Sequence, residues 1–296
     1  MAKNPKTFHC NVSGVRTASS IKSMQFFDSA YSEPEHSPID LFQDKKTSNM
    51  KLLGAHLKEP NSEGYISLAT SSSQEWNQLA SLVVLGLVSA VESYFRCIIR
   101  RLLNLDDHSR KNSYSSTLTY GAALHHHKNL FPEALLENAS FTSSSNIIKS
   151  INSFLDVNIG GFAKFPSLAS ALTDYDIVCH LRHCVVHRAG LLGSNNALAL
   201  GIDEYSELLE KPLSINFLTV QQIAVVCDNL VKEINDKLFV DIISRTVKFY
   251  DWKGDFRSDK SFFKKYYDLF SSKANNTSDN MKKCYRLFIS SHDIKV

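Results

Sequence analysis

Arg182 and His187 stand five residues apart near the end of an apolar, helix-forming stretch of this 296-residue chain. The arginine stays cationic at physiological pH, and the histidine titrates close to neutrality. Together, two such side chains can hold a phosphate group and move a proton without a metal ion. The pair therefore predicts cleavage of a phosphodiester bond, with no metal or other cofactor.

The residues around this pair favour a helix that ends directly after it. Leu168 begins an apolar lead-in, Val185 and Val186 precede the histidine, and Gly190 can stop a helix. The sequence therefore predicts a helix over residues 167–188, with the two candidate catalytic residues in its last two turns.

A helical wheel separates the two candidate residues. Each position advances by about 100°, so Arg182 and His187 lie about 140° apart. The apolar residues expected to face the core share one side: Ile177, Val178, Leu181 and Val185. Convergence on one phosphate then requires the last turn to open, the arginine to fold round the helix, or a second copy of the chain. We expect a site at a dimer interface.

The histidines of this segment also allow a zinc site. His180, His183 or Cys184, and His187 could ligate a metal from one helical face, and residues 125–127 are three further histidines. No carboxylate or cysteine pair completes a familiar ligand spacing, and three consecutive histidines point in three directions on a helix. Histidines that cover the edge of a helix without binding anything are the plainer alternative.

Composition bounds the remaining possibilities. The net charge is only +3, so any phosphate-binding surface must be a local patch, for which Arg96, Arg100 and Arg188 are the candidates. The six cysteines include no C-x-x-C pair, which indicates reduced thiols. The N-terminus is polar, and the longest apolar run, residues 79–91, is short for a bilayer. We expect a cytoplasmic protein that does not contact a membrane.

The chain divides into three parts by composition. Residues 1–71 form a polar, partly irregular N-terminal arm, residues 72–250 a helical domain, and residues 251–296 a C-terminal extension. Apolar periodicity predicts two long helices, 74–105 and 219–249, which we expect to pair antiparallel, with the 167–188 helix packed against them. Shorter helices are predicted at 117–129, 131–138 and 145–156, a loop at 106–116, and a connection with a short strand pair at 190–213. The predicted fold is all-α.

The order of these elements resembles the HEPN superfamily (higher eukaryotes and prokaryotes nucleotide-binding domains). In that pattern an early long helix carries an acidic residue, a later helix ends in Arg-x(4–6)-His, and a last long helix closes the bundle. Glu92 matches the first feature, Arg182 and His187 match the second, and residues 219–249 match the third. His183 stands where many members carry asparagine. The resemblance covers residues 72–250.

The resemblance implies a homodimeric, metal-independent endoribonuclease, of the kind found among toxins and antiviral or abortive-infection effectors. Such a protein acts on RNA and can answer to a cognate antitoxin or sensor protein. Arg182 and His187 would be catalytic, with Glu92 and His183 in support. Other members have lost the motif and only bind. A non-catalytic helical module that binds nucleotide, RNA or a partner protein is therefore the alternative.

Overall fold

Eleven α-helices build the part of the chain that the computed structural model describes, which is residues 12–56, 74–160 and 165–294. Over these ranges there is no β-sheet, and Leu191 and Pro212 form an isolated antiparallel bridge. The helices are α1 Pro38–His56, α2 Gln74–Leu105, α3 Asp107–Asn112, α4 Tyr120–His125, α5 Phe131–Leu135, α6 Ser144–Leu155, α7 Pro166–Arg188, α8 Ser194–Tyr205, α9 Phe217–Arg245, α10 Phe256–Phe270 and α11 Ser278–Ser291. The predicted all-α fold is confirmed.

Two predictions of local structure are wrong. The expected loop at 106–116 contains α3, because Asp106 caps it by accepting a hydrogen bond from the Ser109 backbone N–H at 2.7 Å. The connection expected at 190–213 contains α8, and its two ends pair in an isolated antiparallel bridge between Leu191 and Pro212 where a strand pair was expected. In that segment Ala197 is fully buried against Cys184, so burial selects a helix where the glycines indicated a loop.

The central helices α2 and α9 run in the same direction. The side-chain oxygen of Asn77 accepts from the Ile215 backbone N–H at 2.7 Å, just before α9 begins. Further along, Tyr94 donates to Asn235 at 3.2 Å. The expected antiparallel pair is therefore wrong. The two helices are parallel because α7, which lies between them in sequence, returns the chain to the end of the bundle where α2 begins.

Helix α7 runs antiparallel to α9. Ser167, near its start, donates to Glu233 at 3.0 Å, and Cys179 lies close enough to Cys227 to raise the pKa of the Cys227 thiol. The C-terminal end of α7 therefore lies at the same end of the bundle as the beginnings of α2 and α9. This geometry fixes where Arg182 and His187 emerge.

The predicted domain boundaries are wrong on both sides of the helical domain. One compact unit begins at His36, and the described residues 12–35 belong to a separate one. Helix α1 belongs to the core, since Phe42 and Leu53 are buried there. At Gly86 a β-carbon would lie 2.1 Å from the Asn49 side chain, so the missing side chain lets α1 approach α2. Residues 1–11 and 57–71 of the predicted arm lie outside the described residues.

The C-terminal extension shares the same core. Phe263, Tyr267 and Phe288 are buried with the residues of α2 and α9 in one continuous cluster. The fully buried carboxylate of Asp259 accepts from the backbone N–H groups of Lys253 and Gly254 at 3.1 Å and from the Tyr285 hydroxyl at 2.6 Å. These bonds tie α10 and α11 together, so residues 251–294 are an integral part of the bundle.

Helix α2 is long and apolar enough, by length and composition, to cross a membrane between Trp76 and Leu105. The apolar run of residues 79–91 is only part of this helix, which continues through Glu92 and Arg96 into another apolar turn. Of its most apolar window, 61% is buried inside the protein. The core helix of a globular protein has the same properties.

Candidate functional site

Helix α7 remains regular to its last residue, Arg188. Pro166 starts it at a position where the missing N–H costs nothing. Ala189 and Gly190 then adopt left-handed conformations, with φ of 52° and 87°, and the Gly190 N–H bonds to the Cys184 carbonyl at 3.0 Å. The predicted helix end is confirmed. The last turn does not open, so it does not bring His187 round to the side of Arg182.

Arg182 lies on the buried face of α7. Tyr175, Val178 and Cys179 are buried, and Arg182 follows Val178 by four residues and Cys179 by three. Arg182 therefore continues the core-facing stripe to the place where the core ends, and it is half-buried there. Ile177, which was expected to face the core, is 45% exposed.

His183 and His187 lie next to each other on the exposed side of α7. Their ring centroids are 4.6 Å apart, with the planes tilted by 46°. Desolvation lowers the pKa of His183, and the neighbouring charges of His187, Arg182 and His180 lower it further. His183 thus favours its neutral form, which has a free nitrogen lone pair.

Helix α8 holds the part of α7 that carries this histidine pair. The buried Asn196 lies between two residues of α7: its carboxamide oxygen is 3.1 Å from Nδ1 of His180, and its nitrogen donates to Sγ of Cys184 at 3.1 Å. This clamp fixes the last two turns of α7. Sequence analysis missed Asn196 because it stands in a segment interpreted as a connection.

Arg182 and Glu92 flank the thiol of Cys179. Burial raises the pKa of that thiol to about 12, the carboxylate of Glu92 raises it, and the guanidinium of Arg182 lowers it. Among the described residues Arg182 makes no hydrogen bond or ion pair, which leaves its donors open to an anion. Glu92 therefore lies near the Tyr175–Cys179 part of α7, and the predicted support of Arg182 or His187 by Glu92 stays a prediction.

The three arginines of the predicted phosphate patch have partners within the protein. Arg96 donates to the carbonyls of Leu136 and Ala139 at 2.7 and 2.9 Å, which fixes the loop after α5. Arg100 lies 3.9 Å from the carboxylate of Glu133.

Arg188, at the far end of α7, forms an ion pair with Glu210. Tyr175 marks the part of α7 that lies beside the loop bound by Arg96, because it donates to the Phe141 carbonyl. Arg188 lies 13 residues further along α7. That interval is about 20 Å of helix. The three arginines therefore do not form one patch. The prediction of a shared phosphate surface fails because each guanidinium already bonds to a neighbouring carbonyl or carboxylate.

The zinc alternative gains nothing from the described geometry. Over the described ranges, no group of three or more His, Cys, Asp or Glu side chains is arranged to hold a metal ion. His180 is hydrogen-bonded to Asn196, and the side chain of Cys184 is buried. His125 ends the separate helix α4. The five cysteines that the structure describes are free thiols, as predicted, and Cys10 lies outside those residues.

Comparison of the chain with known protein families, with curated proteins and with solved structures finds no match. The side chains at the end of α7 therefore carry the functional argument alone.

Proposed function

We propose that the chain is a metal-independent endoribonuclease whose catalytic residues are Arg182 and His187. The observation that carries the proposal is a cluster of one guanidinium and two imidazoles at the open end of α7. It contains a guanidinium without a bonded partner among the described residues and two exposed imidazoles with ring centroids 4.6 Å apart. Groups of these types serve to bind a phosphate and to transfer protons.

In the proposed reaction the 2′-hydroxyl of RNA attacks the adjacent phosphorus. One imidazole takes the hydroxyl proton while the oxygen forms its bond to phosphorus, and the bond to the 5′-oxygen of the next nucleotide breaks. A second imidazole, in its protonated form, gives that leaving oxygen its proton. Arg182 holds the phosphate and offsets the charge that develops on its oxygens. The products are a 2′,3′-cyclic phosphate and a 5′-hydroxyl.

A homodimer is part of the proposal because one protomer separates its own catalytic residues. Along a regular helix the α-carbons of Arg182 and His187 lie roughly 9 Å apart, and their side chains leave in directions about 140° apart. Large apolar side chains are exposed at the same end of the bundle, including Leu82, Val186 and Leu218. Such a surface is suited to burial against a second copy.

The cellular role rests on the HEPN resemblance alone. It points to a cytoplasmic toxin or antiviral-defence effector, held in check by a cognate antitoxin or released by a sensor protein. The alternative function is an RNA- or protein-binding helical module without catalysis, which keeps the same cluster for anion binding only.

The test is cleavage of labelled RNA by purified protein in excess EDTA. We expect cleavage by the native protein, loss of it in Arg182→Ala and in His187→Ala, and retention in His125→Ala, a matched exposed histidine on α4. A 2′-deoxy substitution at the cleaved linkage should block the reaction, because it removes the nucleophile. Intact RNA that shifts in a gel would favour the binding module. Activity that chelation abolishes and His187→Ala preserves would refute the catalytic assignment.

A further inference from the structure

The positive charge of this protein is concentrated in its C-terminal extension. The last 46 residues hold ten lysines and arginines against six acidic residues, whereas the other 250 residues hold 23 against 24. The whole net charge of +3 thus originates in the segment that contains α10 and α11. Neither the predicted catalytic pair nor the bundle core uses these cations.

Most acidic side chains of this segment are occupied by local structure. Asp259 is buried and hydrogen-bonded within the hairpin, and Asp255 caps α10 by accepting from Ser258. Asp251 and Asp268 pair with Lys253 and Lys264. The two ion pairs cancel within themselves, and the other acidic side chains exposed on this segment are Asp255, Asp279 and Asp293.

Six cations on these two helices are exposed and form no ion pair within the described residues. They are Arg257, Lys260, Lys265, Lys282, Lys283 and Arg286. Helical spacing places the members from each helix on its solvent side, opposite the aromatic residues that pack into the core. We call these six residues the basic hairpin face.

The two helices meet close to these cations. Tyr285 packs on Phe256, with ring centroids 5.2 Å apart, so the middle of α11 lies beside the beginning of α10. A cavity of about 610 Å³ opens between them, and Lys282 and Arg286 form part of its wall. Lys282 and Arg286 of α11 thus border a groove on the outside of the bundle, and Asp255 and Asp293 also line it.

We propose that the basic hairpin face binds the phosphate backbone of RNA and feeds the strand to the cluster at the end of α7. This inference rests on the proposed endoribonuclease function. An anionic membrane would attract the same charges, but a membrane-surface helix also exposes apolar side chains. Here the aromatic residues face inward, and Leu287 is the one large apolar side chain exposed in the described part of the extension. RNA is the better fit.

The position of the face sets the length of RNA that can use it. Cys179 lies beside Cys227, so Arg182 is level with about residue 224 of α9, while Phe239 of that helix contacts Phe263 of α10. Fifteen helical residues span about 22 Å. With about 3.4 Å per nucleotide, a stacked strand must extend about seven nucleotides from the cleaved bond to reach α10. Dinucleotides cannot contact the face.

The experiment measures binding and cleavage separately. In the uncut His187→Ala background, we compare a hairpin triple variant (Lys282→Ala, Lys283→Ala, Arg286→Ala) with a control triple variant (Lys51→Ala, Lys111→Ala, Lys149→Ala). The control removes three exposed lysines from α1, α3 and α6 and so loses the same charge. The probe is a labelled single-stranded RNA of about 20 nucleotides, titrated at several salt concentrations.

We expect the hairpin triple variant to bind RNA roughly tenfold more weakly. Its plot of log affinity against log salt should be shallower by about 2, because three phosphate contacts are lost at about 0.7 each. The control variant should change little. With His187 restored, the hairpin triple variant should raise KM for the long RNA and leave dinucleotide cleavage unchanged. The charge-reversed Arg257→Glu, Lys260→Glu variant on α10 should reproduce the effect.

Equal RNA binding by the hairpin and control variants would overturn the proposal. A selective loss of binding to phosphatidylserine vesicles, with RNA binding intact, would overturn it in favour of a membrane. Failure of the proposed function looks different: the native protein would leave RNA uncut while the hairpin variant still lost RNA binding, so RNA binding by the face would stand and its role in feeding a cleavage site would fall.

Discussion

Mixing two inactive variants should restore part of the activity if the site is shared between protomers. One variant is Arg182→Ala and the other is His187→Ala, each expected to be inactive alone. A heterodimer of the two has one composite site with both substitutions and one with both native residues. At equal concentrations half of the dimers are heterodimers, so the mixture should recover about a quarter of the native rate.

The structure sets this expectation through the geometry of α7. The helix is regular through Arg188, which keeps the two side chains on different faces of one protomer. The assay mixes the variants, allows exchange of subunits, and follows cleavage of labelled RNA in EDTA. A tandem-linked dimer with one substitution in each half serves as the control for exchange. No recovery in either format, with native protein active, would refute the shared site and place both residues in one protomer's site.

Three further predictions concern stability and pH. Ala189→Gly should raise the free energy of unfolding by roughly 0.5–1 kcal/mol in urea titrations, because alanine is strained at φ 52°; unchanged or lower stability would contradict this cap. Arg245→Met should lower stability by about 3–5 kcal/mol, since it strands the fully buried Asp106 carboxylate, 2.5 Å away. Adding Asp106→Asn should recover part of that loss, and an additive double variant would show that the pair is not coupled. The folded-state pKa of His183 is lowered, so the unfolded chain binds more protons and the native protein should lose stability as pH falls through about 6.5. His183→Asn should reduce this loss in thermal unfolding followed from pH 8 to 5.

Local periodicity predicted the long helices well. The 74–105 helix begins and ends where predicted, and the α7 and α9 helices differ from 167–188 and 219–249 by a few residues. These segments have apolar positions at helical spacing and clear ends, so the signal is contained within each segment. The direction in which α2 and α9 pair depends on how many times the chain crosses the bundle between them, and periodicity carries no such information.

The parts that were missed depend on long-range contacts. Arg245 donates to the Leu155 carbonyl at 2.6 Å and bridges to Asp106, which joins the ends of three helices far apart in sequence. Asn196 holds His180 in the same way. Polar residues of this kind look like solvent-exposed residues in a single sequence. The candidate catalytic pair was visible because its spacing and helix end are local, whereas the partners of Arg96 and Arg188 were not.

The most direct test of the central claim is a single-turnover comparison of native protein and His187→Ala on labelled RNA in excess EDTA, with analysis of the product ends. The proposed function predicts cleavage by the native protein that yields 2′,3′-cyclic phosphate and 5′-hydroxyl ends, and a loss of at least about a hundredfold in rate in the variant. Equal cleavage by a correctly folded His187→Ala protein, or cleavage that requires an added metal ion, would contradict the assignment.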